Sequence, residues 1–90
     1  MQPKLLQILM LGKNEIEEIS GLQSLPQLEV LDLHGNRISR LSGLDKLRQL
    51  RVLNLSANRV ASLAGLPPLT ALQELNLRRN KLTQLVSFIR

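Results

Sequence analysis

Several kinds of residue are absent, or nearly absent, from this 90-residue chain. It has no cysteine, tryptophan or tyrosine, and Phe88 is its single aromatic residue. Without cysteine, neither a disulfide framework nor a thiolate metal site can form, and the composition suits a reducing compartment. No uncharged apolar run reaches about 18 residues, so the sequence predicts no membrane span. A core with so few rings must be filled by one branched residue used many times, which suggests a repeat.

Leucine does recur with a fixed period. The residues Asn14, Asn36, Asn58 and Asn80 follow one another at intervals of 22 residues. Aligning the chain on them gives the frame LxxLxLxxN(I/V/L)xxLxxLxxL, whose positions we count from its first leucine. Four copies, called coils one to four, occupy residues 6–27, 28–49, 50–71 and 72–90. Self-similarity at such a period predicts one domain, residues 1–90, built from stacked coils.

The letters of the frame also predict local structure. In LEVLDL, alternation places Leu31 and Leu33 on one side of a strand and Val30 and Asp32 on the other. The return legs are too short for full helices, and Pro67–Pro68 is too rigid, so 3₁₀ turns or extended segments are expected there. One frame position repeats glycine, where a positive φ would favour it: Gly21, Gly43 and Gly65.

The four asparagines are predicted to be structural. A side-chain amide has both donors and an acceptor, so Asn36 and Asn58 can bond turn backbone in their own and adjacent coils. A buried backbone group left without its partner costs about 1–3 kcal/mol. We expect Asn80 to contribute less, because no fifth coil follows it in the sequence.

The segments LEVLDLHGNRI and LRVLNLSANRV, each followed by SGL or AGL, resemble the leucine-rich repeat family, in particular its short 22-residue cytosolic class. That class includes the regulatory subunit of type-1 protein phosphatase. VLDLHGN and LRVLNL are also similar to the repeat-bearing subunit of the tubulin polyglutamylase complex. The resemblance implies an α/β repeat fold, a right-handed solenoid with a parallel β-sheet on its concave face and short 3₁₀ or extended segments on its convex face. It also implies a scaffold in a cytoskeletal, ciliary or phosphatase-type complex, located in the cytoplasm, the cytoskeleton, the cilium or the nucleus.

The opening MQPKLLQILMLGKNE could be a secretory signal or a first strand. Leu6, Leu9 and Leu11 occupy the frame positions of the corresponding leucines in coil two, and Asn14 follows on schedule. A signal peptide has no reason to keep that phase and normally ends in a small-residue cleavage site. The opening is therefore predicted to be a strand, and secretion is not expected.

The ends of the array are expected to associate with other chains or with further coils. A solenoid needs polar caps over its terminal coils, and its first and last strands would be open edges. The sequence therefore suggests an excerpt of a longer array, a truncated isoform, or a chain that associates with itself. Phe88 is either a conservative core substitution, which we favour, or a plug over the last coil.

Asp32, His34 and Ser56 fall within reach of one another in this arrangement and suggest a catalytic triad. A triad also needs an oxyanion hole and a pocket that excludes water, and a smooth sheet surface has neither. Asp32 and His34 alone supply too few ligands for zinc. No Gly-rich phosphate loop occurs. The sequence therefore predicts no enzyme, no metal and no cofactor.

The outward strand positions are the predicted partner-binding surface. Its apolar stripe, including Met10, is typical of a protein-binding face, although β-branched residues also simply favour strands. Coil one has a net charge of −2 and coil four of +3, so the partner is expected to be another protein with an acidic surface or tail. The alternative is a basic solenoid that binds RNA or DNA phosphates, which the lack of stacking aromatics disfavours. The predicted binding residues are Ile8, Met10, Val30, Asp32, His34, Val52, Asn54, Asn76, Arg78 and Arg79.

Overall fold

A computed structural model describes residues 6–82 of the chain. Each coil contributes one short strand: β1 (Ile8–Met10), β2 (Val30–Asp32), β3 (Val52–Asn54) and β4 (Glu74–Asn76). The strands form one parallel sheet in the order β1-β2-β3-β4. Their register is the sequence frame itself, since Leu9 lies beside Leu31, Leu31 beside Leu53 and Leu53 beside Leu75. The predicted leucine-lined parallel solenoid is confirmed, and residues 8–10 of the opening segment form its first strand.

The core is a stack of leucines that is complete only in the middle of the array. In coil two, Leu28, Leu31, Leu41, Leu44 and Leu47 are all fully buried. In coil one the equivalents Ile19 and Leu22 are buried as well. Other leucines of coils one and four are only partly buried against this cluster; they include Leu9, Leu11, Leu25, Leu72, Leu75 and Leu77. A coil of a solenoid contacts only its neighbours, so the inner coils hold most of the buried apolar surface.

The return legs are chains of tight turns. Leu25 N–H donates to the Leu22 carbonyl, and Leu47 N–H to the Leu44 carbonyl, at 3.0 and 3.1 Å. In coil three, the bond runs from Leu66 N–H to the Leu63 carbonyl at 3.2 Å, one leucine earlier in the frame. Such bonds span three residues, which matches the leucine spacing of the legs and brings each leucine back to the inside. Within residues 6–82 these single turns are not extended into a helix.

Two frame positions adopt a left-handed backbone. The first was predicted, and Gly21, Gly43 and Gly65 have φ of 78°, 85° and 89°. The second, directly before each asparagine, was not predicted. It has φ of 58° to 67° in the following residues: Lys13, Gly35, Ala57 and Arg79. Only Gly35 at this position suggests a positive φ from its residue type, because non-glycine residues rarely adopt one.

Each inner asparagine joins its own turn to the coil before it. Asn36 Nδ2 donates to the carbonyls of Leu33, at 2.9 Å, and of Leu11 in the preceding coil, at 3.0 Å. Its Oδ1 accepts from Ile16 N–H at 3.0 Å. Asn58 makes the equivalent bonds one coil later.

Asn80 also reaches back to the preceding coil, to the Leu55 carbonyl and to Val60 N–H, both at 2.9 Å. The expectation that Asn80 contributes less was based on a missing downstream coil. That reason is wrong, because the bonds run upstream. Of the four asparagines predicted to be structural, Asn14 is the one whose hydrogen bonds within residues 6–82 stay in its own turn, to the carbonyls of Leu11 and Gly12.

A polar row that the sequence analysis missed runs along the strand entrances. It lies at position two of the frame, where Glu29 Oε2 accepts from Gln7 at 3.0 Å and Glu29 Oε1 accepts from Arg51 at 3.1 Å. Arg51 also approaches Gln73 at 3.5 Å. This row joins all four coils at the end of the sheet where the strands begin, whereas the asparagines lie beyond the end where the strands finish.

Candidate partner-binding surface

The outward side chains of the strands form rows across the sheet. Strand register places Ile8 beside Val30, and Val30 beside Val52. Met10 lies on the same face, and it is 64% exposed, while Ile8 is 55% exposed. Val30 and Val52 are half-buried because strands flank them on both sides. We call these four residues the apolar patch; its most exposed part is on β1.

The next row is polar and contributes to the fold. Asp32, Asn54 and Asn76 lie side by side. The Oδ1 of each accepts a hydrogen bond from the backbone N–H two residues later, at 2.9 to 3.0 Å. These Asx bonds satisfy amide groups where the chain leaves the strand. Met10 holds the same position in coil one and has no side-chain oxygen to accept such a bond.

His34 is positioned by Asp32 and by coil one. Its Nδ1 lies 2.7 Å from Asp32 Oδ1. A side chain at Gly12 would collide with the imidazole, so the ring lies over Gly12, in coil one. Ser56 is in coil three, on the other side, and no hydrogen bond joins it to His34 among the described residues. The structure thus pairs Asp32 with His34 but does not assemble the three residues into a triad.

The Asp32 carboxyl is electrostatically perturbed. Burial has the largest single effect and raises its pKa. The hydrogen bonds from the His34 backbone and ring, together with the charge of the imidazole, outweigh burial and hold the pKa of Asp32 below its ordinary value. The charged form of Asp32 is therefore favoured in the folded protein.

A cleft lies beyond the exits of the strands. It has a volume of about 400 Å³, and we call it the basic cleft; its lining residues are Lys13, His34, Gly35, Ser56, Ala57, Asn76, Arg78 and Arg79. Lys13 and Arg79 come from the outermost coils, and the small residues Gly35 and Ala57 lie between them at the same frame position. The Lys13 side chain passes close to Gly35, with its Cγ at 3.4 Å from where a Cβ of Gly35 would be.

The predicted binding residues fall into two groups on one side of the sheet. Ile8, Met10, Val30 and Val52 form the apolar patch. His34, Asn76, Arg78 and Arg79 line the basic cleft, and Asp32 and Asn54 lie between the two groups.

Four residues of the cleft were not among the predicted binding residues: Lys13, Gly35, Ser56 and Ala57. The available signal was the frame itself, because Lys13 has the position of Arg79 in another coil. Lys13 and Arg79 line one cleft because small residues lie between them, and only the stacked structure brings all of these residues into one row.

Residues 6–82 contain no group of three His, Cys, Asp or Glu side chains that could hold a metal ion. Nor does this part include a helix long and apolar enough to cross a bilayer.

Comparison with known proteins assigns the family. A family model described as Leucine Rich repeats (2 copies) matches residues 4–46 and again residues 48–90. The chain belongs to the leucine-rich repeat family. Proteins built from such repeats generally bind other proteins through the extended surfaces that stacked coils create.

Among solved structures, this leucine-rich repeat chain is similar to an internalin from Listeria monocytogenes. The two are 30% identical and superpose with a TM-score of 0.81. The match covers 88% of this chain and 23% of the internalin, so the chain spans less than a quarter of that protein's length. No curated protein matches the sequence.

Proposed function

We propose that this leucine-rich repeat chain is a non-catalytic scaffold that binds another protein through the apolar patch, assisted by the basic residues at the strand exits. The observation that carries the proposal is the row of Ile8, Val30 and Val52 beside the exposed Met10. Four apolar side chains in contact with solvent on one sheet face favour a surface that a partner covers. The positive charge at the other end of the face favours a partner with an acidic surface or tail.

Met10 is the strongest evidence for binding within the patch. Valine and isoleucine are common in strands for reasons of backbone preference alone. Methionine has no such preference, and at this position it replaces the Asx bond that the other three coils make. Met10 therefore has no evident role in the fold, whereas a flexible, polarizable side chain suits a binding surface.

The patch alone is too small for a stable complex. Four strands about 4.8 Å apart, each exposing roughly 13 Å, give a face of about 200–300 Å². A standard interface buries about 800 Å² on each partner. The turns at the strand exits, which carry Arg78 and Arg79, or further coils must therefore contribute to the interface.

The proposed setting is a cytoskeletal, ciliary or phosphatase-type complex in the cytoplasm or the nucleus. The 22-residue period and the likeness of VLDLHGN and LRVLNL to the short cytosolic class support it. The absence of cysteine agrees with a reducing compartment.

Nucleic-acid binding is the second candidate, because Lys13, Arg78 and Arg79 meet in one cleft. Such binding would depend steeply on salt and little on sequence, since it would come from phosphate contacts. Titration with random oligonucleotides at several salt concentrations separates the two candidates. Steep, sequence-blind binding would favour the nucleic-acid function over the protein-binding function.

The decisive experiment identifies partners by pull-down and mass spectrometry and then measures their kinetics on an immobilised surface. Met10→Asp and Val30→Asp should speed dissociation, each weakening binding by about 1–3 kcal/mol, because they place a charge in a desolvated contact. Arg78→Glu with Arg79→Glu should slow association and flatten its salt dependence.

Ala61→Asp is the matched control for the patch variants. It adds the same charge at an exposed position of a return leg. If all the variants fold and bind like the parent, the strand face is not the binding site, and the convex turns around Pro67 and Pro68 take its place.

A further inference from the structure

We propose that the basic cleft binds an oxyanion on a side chain of the bound partner, with a phosphomonoester as the favoured ligand. The inference rests on the proposed function in one respect, that the partner is a protein. It goes further by naming the group that the cleft recognises and the residues that hold it.

The shape of the cleft comes from one frame position. Lys13, Gly35, Ala57 and Arg79 share a left-handed backbone directly before the asparagines. Their order across the sheet puts two long cationic side chains on the outside and two small residues between them. Neighbouring strands are about 4.8 Å apart, so the outer two backbones are separated by roughly 14 Å. The two cationic side chains can thus converge from opposite sides on a ligand above Gly35 and Ala57.

The lining offers donors and no carboxylate. Besides Lys13 and Arg79, the residues Arg78, Ser56 and Asn76 line the cleft with groups that can donate hydrogen bonds. Among the described residues, the ion pairs do not involve Lys13, Arg78 or Arg79. They join Asp32 with His34, Glu15 with Arg37 and Glu29 with Arg51. The charges of Lys13, Arg78 and Arg79 are therefore available to a ligand. Guanidinium groups bind phosphate oxygens through paired, charge-assisted hydrogen bonds.

The backbone amides in the middle of the cleft are already bonded, which makes the proposal specific. Gly35 N–H and Ala57 N–H already donate to carbonyls of the next coil at 2.9 and 2.8 Å. The amides of His34, Ser56 and Arg78 donate to Asx oxygens. A phosphate above Gly35 and Ala57 must therefore be bound by side chains, so removing those side chains removes the site without altering the turns.

The test is a titration of the ¹⁵N-labelled chain with O-phosphoserine, followed by NMR at constant ionic strength. L-glutamate tests a side-chain carboxylate in place of the phosphate, and L-serine, which lacks the phosphate, is the negative control. Saturable shifts confined to the amides around Gly35, Ser56 and Ala57 are the expected result. O-phosphoserine should bind more tightly than glutamate, because a phosphate group has more charge and one more oxygen to accept hydrogen bonds.

The variant is Lys13→Asn with Arg79→Asn, since asparagine tolerates the left-handed backbone at both positions. We expect it to bind O-phosphoserine about tenfold more weakly, the scale of losing one charge-assisted hydrogen bond. Lys46→Asn with Arg59→Asn removes the same charge at exposed positions outside the cleft and should bind like the parent.

Each outcome decides the proposal. Equal binding of glutamate and O-phosphoserine in the cleft supports an oxyanion site and assigns it to carboxylates. Shifts that do not saturate, that scatter over the surface, or that weaken equally in both double variants overturn the site. These results do not depend on the apolar patch. If Met10→Asp leaves partner kinetics unchanged while O-phosphoserine binds, the proposed function fails and the cleft remains.

Discussion

A single asparagine amide can serve two coils at once. Asn36 has two amide hydrogens and three carbonyls within reach, at 2.9, 3.0 and 3.2 Å. The two shorter contacts join its own turn to the preceding coil, and the longest, to His34, shares a hydrogen. Its Oδ1 accepts a further backbone N–H of the preceding coil. Since no shorter or apolar side chain makes both kinds of bond, the asparagine at this position links the coils.

The first prediction compares asparagines that differ in these links. Asn36→Ala and Asn58→Ala should each lower the free energy of unfolding by about 1–3 kcal/mol for each buried backbone group left unpaired. Asn80→Ala should also be costly, because Asn80 makes the same links upstream. Asn14→Ala is the control, since its two bonds are exposed and stay within one turn. Urea melts with equal, negligible losses at all four positions would contradict the role of the amides.

The second prediction concerns Asp32 and pH. Its pKa is lowered in the folded protein, so the ionised carboxylate stabilises the fold. This contribution is complete above the unfolded value of about 3.9 and is lost as the pH falls through the lower folded value. Asp32→Asn keeps an acceptor oxygen, as Asn54 and Asn76 do, but removes the charge. The stability difference between parent and variant should shrink as the pH is lowered in urea melts.

Asp45→Asn is the control, because it removes the same charge from a return leg, where Asp45 is exposed. A stability difference for Asp32→Asn that stays constant from neutral to acid pH would show that the carboxylate charge does not stabilise the fold.

The glycine turns of the return legs share one backbone conformation and similar sequences, but they differ in how closely other atoms pack around the glycine. Gly21, Gly43 and Gly65 all have positive φ. At Gly43 a side chain would also collide with the Ile19 carbonyl oxygen of coil one. At Gly65 the nearest backbone atom is 3.9 Å away, and at Gly21 nothing lies within 4 Å. The same turn is thus tight at one junction and open at the others.

The third prediction is a graded response to Gly→Ala in these turns. All three substitutions put a side chain in the left-handed region, at about 1–2 kcal/mol each. Gly43→Ala should cost about 1–3 kcal/mol more, because it overpacks the contact with Ile19. Gly21→Ala and Gly65→Ala measure the backbone strain alone. The argument fails if thermal or urea unfolding gives three equal losses.

At the scale of strands and turns, the sequence could predict the features that recur in every coil. Leucine spacing predicted the strands, the register and the return legs, since every copy of the frame indicates the same local structure. The left-handed backbone at Lys13, Ala57 and Arg79 could not be predicted, because their residue types do not favour it. The Asx role of Asp32 was also missed: a repeated Asp or Asn on a strand suggested binding, although it equally suits a turn. The upstream direction of the asparagine bonds is a property of stacking alone.

Over the whole molecule, the two proposed contact regions lie at different points along the strands of one sheet, and both extend over several coils. The apolar patch is most exposed on β1, and the basic cleft lies beyond the ends of the strands. A partner that meets the positive charges first would be steered by them and then held by desolvation of the patch. Arginine variants should therefore act mainly on association, and patch variants on dissociation.

The last prediction concerns the two ends of the sheet. β1 and β4 each have one edge without a partner strand among residues 6–82, and Leu6, Ile8 and Met10 are exposed beside the first edge. Such edges favour pairing with another chain. A second copy stacked with its coil one on coil four would place Glu15 beside Lys81, which has the frame position of Arg37. Glu15 and Arg37 already approach to 3.9 Å within the chain.

The 90-residue chain should therefore associate head to tail, and its average mass in sedimentation equilibrium should rise with concentration. Leu6→Lys should weaken the association by placing a charge on the exposed edge of coil one, whereas Ala61→Lys, on a return leg, should not. Adding a polar capping coil next to β1 should give a more stable monomer, because it covers the half-buried leucines of coil one. A constant monomer mass over a wide concentration range would contradict the prediction. It would show that the leucines at the ends of the stack are already covered in solution.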